Sequence, residues 1–145
     1  MSRQEKQEIR ERLANQRAKM DEKSVRELSS RIVDVLYRQI ENYILELGTE
    51  KNIIFAYAAK GNEVDLSSLF ELLWKRNEGS SQKVSIALPR VHGKHMDFYV
   101  IESMDDLEDG IFGVREPKLK CKKVEAVNAI VITPAIAYGM DGTRI

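Results

Sequence analysis

The chain has 145 residues, 43% hydrophobic and 32% charged, the size and balance of one soluble globular domain able to bury most of its apolar surface. Lysine plus arginine and aspartate plus glutamate both number 23, so no global field draws the chain to nucleic acid or to an anionic membrane. The apolar stretches fall short of the roughly 20 residues a membrane span needs, and MSRQEKQEIR carries no signal-peptide core, so a cytoplasmic location is expected.

Ser2-x-x-Glu5 and Ser24-x-x-Glu27 are capping-box patterns, predicting helices over 2–20 and 24–47. In the second, Leu28, Ile32, Val35, Leu36, Ile40, Tyr43, Ile44 and Leu47 recur at helical spacing and Gly48 is placed to end it. That helix is expected to pack flat against a sheet. Asn52 to Ala59 is a continuous apolar run, suited to a strand covered on both faces. With Asp65 positioned as a cap, Leu66, Leu69, Phe70, Leu73 and Trp74 predict a further helix, and Gly79 to Gln82 a loop. Lys83 to Val91 reads as a strand ended near Pro89. Met96 to Glu102 alternates, which fits an edge or antiparallel strand, and a polar loop and Gly113 to Pro117 follow. Ala126 to Ala137 reads as a third buried strand.

Strands alternating with helices predict one α/β domain over 1–145, with a sheet core over 52–138. The expected architecture is three-layered and Rossmann-like: an open, mostly parallel sheet with helices on both faces. Ligands bind such sheets beyond the carboxyl ends of the strands. Here those ends are Ala58 to Glu63, Pro89 to Val91, and the terminal stretch after Thr133.

On the first helix Arg3, Lys6, Arg10 and Arg17 project within an arc of roughly 60°, beside the stripe Ile9, Leu13 and Met20. This row is either a clamp for a polyphosphate or a solvated face whose stems lie along apolar surface. Glu63 can orient a ligand's N–H groups, move a proton, or serve the next helix through its charge. Met96 and Phe98 are core side chains or a wall for a flat ring. Cys121, among lysines, is a thiol activated by their charge or an incidental surface residue. His92 and His95 lack a third ligand at metal-site spacing, so no metal site in the protein is expected. The glycine-rich phosphate loops and the nucleophile elbow are absent, so a nucleotide would bind by another device.

In order along the chain stand Lys6-x-x-x-Arg10, Asn62-Glu-Val-Asp65, Leu88-Pro-Arg-Val91 and His95-Met-Asp-Phe98. Phe112-Gly-Val-Arg-Glu-Pro117 and Ile132-Thr-Pro-Ala-Ile-Ala-Tyr138 follow, the latter leading to Asp141-Gly-Thr-Arg144. Together these resemble the 5-formyltetrahydrofolate cyclo-ligase family, also called methenyltetrahydrofolate synthetase, across nearly the whole chain. The resemblance implies an enzyme that uses ATP and Mg2+ to convert 5-formyltetrahydrofolate to 5,10-methenyltetrahydrofolate, releasing ADP and phosphate. The formyl oxygen attacks the terminal phosphate, the other folate nitrogen closes on the activated carbon, and phosphate departs. It implies Lys6 and Arg10 as a phosphate-binding pair, and Arg144 as the arginine opening the family's glycine-rich phosphate loop. It likewise implies Glu63 as the carboxylate that meets the folate, and Met96 and Phe112 as lining of the folate pocket. Phe112 stands where some members have tryptophan, so stacking is retained without an indole N–H.

In the family the arginine corresponding to Arg144 continues into a glycine-rich run ending in Gly-Tyr-Tyr-Asp, and then into a further helix and strands. This sequence ends at Ile145. The chain is accordingly expected to be C-terminally incomplete relative to the family, with ATP binding weakened and turnover nearly abolished. An unpaired last strand would favour self-association. The alternative to a cyclo-ligase is a non-catalytic folate-binding or assembly domain of the same fold. A weaker third reading is an enzyme related to sugar-phosphate isomerases or coenzyme A transferases.

Overall fold

The computed structural model describes residues 1–125 and 128–145. Helix α1 spans Arg3–Ala18 and opens on the expected box: Ser2 Oγ accepts the Glu5 N–H at 3.1 Å, and the Glu5 carboxylate accepts the Ser2 N–H at 2.5 Å. Helix α2 spans Glu22–Leu47 and starts ahead of the predicted Ser24. Its cap is Asp21, whose carboxylate takes the Ser24 N–H at 2.7 Å, so Ser24 is already helical and its box with Glu27 is not formed. Gly48 ends α2 in the left-handed conformation, with φ 63° and its N–H on Ile44 O, as its position predicted.

The remaining elements are β1 (Lys51–Phe55), α3 (Ser67–Glu78), β2 (Lys83–His92), β3 (His95–Ile101), β4 (Leu107–Asp109), β5 (Arg115–Pro117), β6 (Lys122–Val124) and β7 (Ile130–Val131). The main sheet has the order β6-β3-β2-β1-β7, and β4 and β5 form a separate hairpin. β1 runs parallel to both β2 and β7, while β3 is antiparallel to β2 and to β6. The open α/β sheet read from the sequence is therefore present as a mixed sheet. β3 is antiparallel, as its alternation allowed, but lies inside the sheet between β2 and β6.

Two strand boundaries differ from expectation for physical reasons. β2 runs through Pro89, which pairs with Phe98, because β1 has ended by then and the missing N–H breaks no ladder on that side. The buried strand expected over 126–137 is instead the two-residue edge strand β7, with Ala126 and Val127 outside the described residues. β7 pairs with β1 on one side, and Val131 remains 61% exposed; burial needs cover on both faces, which an edge position does not supply.

One face of the sheet carries the core. Ile54, Val84, Ile86, Leu88 and Ile101 point toward Val33, Ile40 and Ile44 of α2 and Leu69, Phe70 and Leu73 of α3. Each such side chain contributes about 1.5–3 kcal/mol on burial. The contact is made by one arc of α2's apolar stripe. The neighbouring arc, including Leu28, Ile32, Val35 and Tyr43, stays between 44% and 48% exposed. On the other face Ile53, Phe55, Phe98 and Val100 are half-buried, and the Phe55 and Phe98 rings stack with centroids 4.2 Å apart. Among the described residues no helix is long and apolar enough to cross a membrane.

Candidate functional site at the carboxyl end of β1

After Phe55 the chain leaves the sheet and makes a short loop before α3. Tyr57 donates its hydroxyl to Val64 O at 3.0 Å. Burial, reinforced by the nearby charge of Glu63, pushes the phenol up to about 12, so it is neutral at physiological pH. The half-buried Glu63 closes the turn by accepting the Lys60 N–H at 2.9 Å, and returns its own N–H to Lys60 O. Gly61, at φ 57°, supplies the left-handed step. Asp65 accepts the Ser67 N–H at 2.9 Å, so it serves the start of α3 although Leu66 occupies the cap position. The Asp65 N–H is held in turn by Ser29 of α2 at 3.0 Å.

The same loop holds α1. Asn62 Nδ2 donates to Arg17 O, in the last turn of α1, at 2.8 Å and to Met20 O, just past its end, at 3.0 Å; Arg17 O also takes the Met20 N–H at 3.1 Å. In the cationic row Arg3 and Arg10 are exposed, whereas Lys6 and Arg17 are half-buried. Among the described residues none of the four makes an ion pair. Arg3, Gln4, Gln7 and Arg10 border an open depression of about 510 Å3.

Lys6 acts on the terminal turn. The Asp141 carboxyl lies below its ordinary range, chiefly because it accepts the Thr143 N–H at 3.0 Å, with the Lys6 charge adding a smaller pull. That turn is closed by Gly139 N–H on Thr143 O and by the bridge between Tyr138 and Arg144. Arg144 gives Pro134 O two hydrogen bonds, at 3.1 and 2.7 Å. A carbonyl partner orients the guanidinium without neutralising it.

Met96 and Phe112 belong to a second group. Met96, 55% exposed, lies opposite Val91 at the end of β2, and the Val91 N–H is held by Glu116 at 3.2 Å. Glu116, buried on β5, also packs where Gly110 leaves no room for a Cβ. Arg90 adds an ion pair to Glu108 at 2.6 Å and a bond to Pro117 O at 2.8 Å, fixing the β4–β5 hairpin to β2. At the hairpin's tip Phe112 is 77% exposed at φ 62°, the one non-glycine with positive φ among the described residues. An aromatic residue held there costs of order 1 kcal/mol, and such strain concentrates at working sites. Tyr57, Leu66, Leu107 and Arg115 help enclose a cavity of about 230 Å3 between the β1–α3 loop and the hairpin.

The structure thus fastens Asn62, the neighbour of Glu63, to the end of α1, while Lys6 touches the terminal turn only through a small charge effect on Asp141. It brings Met96 to the strand that anchors the hairpin of Phe112. No hydrogen bond or ion pair among the described residues joins Glu63 directly to Met96 or Phe112. A larger cavity, about 650 Å3, lies at the amino ends of β1 and β2 beside Lys51, Ser85 and Lys122; Cys121 lines it, but none of the residues read as ATP or folate ligands does. Cys121 departs from the activated-thiol reading. Burial and the charge of Asp106 raise its pKa, outweighing Lys118 and Lys120. Among the described residues no group of three or more His, Cys, Asp or Glu side chains forms a metal cage, and His92 instead meets the Tyr99 hydroxyl at 3.0 Å. Sequence reasoning quoted Asn62 within a motif but missed its two hydrogen bonds to the end of α1, and it missed Tyr57. A short polar residue next to a strand-end carboxylate was the available signal.

The model of the 5-formyltetrahydrofolate cyclo-ligase family matches residues 2–145. Among solved structures, an NMR structure of Aquifex aeolicus 5,10-methenyltetrahydrofolate synthetase matches with a TM-score of 0.72 and 26% sequence identity. The match covers 96% of this chain and 65% of that one, so this chain spans less than two thirds of that protein's length. No curated protein matches the chain.

Proposed function

The chain belongs to the 5-formyltetrahydrofolate cyclo-ligase family, and from that premise we propose that it serves the ATP-dependent closure of 5-formyltetrahydrofolate to 5,10-methenyltetrahydrofolate, with release of ADP and phosphate. The observation that carries this reading is the junction of α1 with the β1–α3 loop. A cationic row without ion-pair partners among the described residues and a strand-end carboxylate are tied together there by Asn62.

The chemistry needs activation, because a formamide oxygen is a poor leaving group. The formyl oxygen bonds to the terminal phosphorus as the bond to ADP breaks. N10 then attacks the formyl carbon and gives up its proton to solvent, and phosphate leaves with the former formyl oxygen. The protein's share is positioning and neutralising charge on the transferred group. Lys6 and Arg10 meet the phosphates from α1, and Arg144 from the terminal turn. Glu63 receives N–H groups of the folate ring system, while Met96 and the Phe112 ring border it. Magnesium arrives as the complex of ATP, whose oxygens and bound water satisfy a cation that takes few protein ligands. The described residues form no cage for it, so no protein ligand is assigned and no step is routed through it. The reaction takes place in the cytoplasm, and copies of the chain associate through the open edge of β7.

The test follows the absorbance of methenyltetrahydrofolate with 5-formyltetrahydrofolate, ATP and magnesium. It is run for this chain and for one continued past Ile145 with the family's glycine-rich segment. Turnover by the continued chain is expected. Folate binding without phosphate release from either would replace the ligase reading with that of a non-catalytic folate-binding domain.

A further inference from the structure

We propose that Asn62 is a positioning residue: its side-chain amide fastens the end of α1 to the loop that presents Glu63, so that the cationic row and the carboxylate are held as one unit. The inference rests on the reading of Lys6 and Arg10 as phosphate ligands and Glu63 as a folate ligand. Helix α1 has no fully buried residue, and its inward side chains Ile9 and Leu13, with Met20 just past its end, are only half-buried. Apolar packing therefore contributes little to its placement. α2, by contrast, buries Val33, Ile40 and Ile44. The Asn62 bonds to Arg17 O and Met20 O, at 2.8 and 3.0 Å, link segments 45 and 42 residues apart in sequence. Arg17 O lies in the last turn of α1, where it also takes the Met20 N–H at 3.1 Å, and Met20 O lies just past the helix end. Only a group with two N–H donors on a short stem spans both.

The next residue along, Glu63, is fixed to Lys60 within the same turn, so a displacement of Asn62 moves the carboxylate with it. Asn62 thereby sets the distance between the phosphate-binding helix and the folate carboxylate. It touches neither reacting group. Two substrates that must meet in line for phosphoryl transfer are sensitive to such a spacing.

The test is Asn62→Asp, which keeps the shape but turns an acceptor oxygen toward the two carbonyls. Amide hydrogen exchange is followed in α1, with β1 and α3 of the same molecules as internal controls, and ATP and 5-formyltetrahydrofolate affinities are measured singly and together. Exchange in α1 should rise about tenfold, as expected for lost hydrogen bonds, while β1 and α3 stay unchanged. ATP affinity should become independent of bound folate, with folate affinity alone held within about twofold, a split that general destabilisation would not produce. Unchanged exchange in α1, or an equal rise in all three elements, would overturn the proposal. If α1 alone loosens but the unaltered chain binds neither ligand, the fastening stands and the ligand assignments, with the positioning role built on them, fall.

Discussion

Helices α1 and α2 follow one another in the chain, are both capped by short polar side chains, and are held by different forces. α2 is part of the core: Ile44 is fully buried, and Val33 and Ile40 nearly so. α1 buries no residue completely and is held by a capping box, a half-buried stripe and the amide of Asn62. The difference separates two tasks. A helix held by apolar contact fixes the fold, while one held by a few directional bonds can adjust to a ligand at small cost. The unpaired cations stand on the second kind of helix.

The largest expected effect lies on the α2 side. Ile44→Ala should cost about 2–5 kcal/mol of global stability, read as a shift in the urea midpoint, with the whole chain losing protection together. A local effect there would erase the distinction. On the α1 side, Lys6→Ala and Arg10→Ala should each weaken ATP binding about tenfold or more, the scale of a hydrogen bond to a charged group. Folate affinity and the urea midpoint should hardly move, and equal losses for both ligands would mean that α1 carries structure after all.

Ser2→Ala should cost about 1 kcal/mol and be confined to α1, visible as faster exchange in its first turns without a change in global midpoint. The last effect is a pH dependence. Tyr57 has a pKa of about 12 in the folded chain, against an ordinary value of 10.0, because burial and Glu63 oppose the phenolate. Its stabilisation is complete below pH 10 and is lost as pH rises toward 12. Tyr57→Phe removes that dependence, so the stability difference between the two chains should shrink over this range. A constant difference would show that the phenol is not the group responsible.

Local signals were legible where one residue type decides the geometry. The Ser2 box and the Gly48 stop could be read directly, because a hydroxyl three residues before a carboxylate and a glycine after an apolar run each have one favourable use. The start of α2 was not, since Asp21 and Ser24 are both good caps and the choice depends on which N–H the carboxylate reaches. The apolar run after Glu125 read as a buried strand because hydrophobicity does not report sheet position, and β7 sits at an edge. Nor could the breadth of α2's stripe say which arc meets the sheet: Ile40 and Ile44 of the stripe are buried as read, Val33 joins them, and Leu28, Ile32 and Val35 stay exposed. At the site, residue types and motif order put forward Lys6, Arg10 and Glu63 as candidates. The joint between them was hidden because Asn62 and Arg17 are far apart in sequence.

The most direct measurement is amide hydrogen exchange of the unaltered chain with ATP and magnesium, then with 5-formyltetrahydrofolate, then with both. The account predicts that ATP protects α1 and the turn over 138–144, folate protects the loop around Glu63, and both together protect α1 beyond either alone. Protection by ATP that falls elsewhere, at the amino ends of β1 and β2 for instance, or none in α1 under any condition, would contradict it.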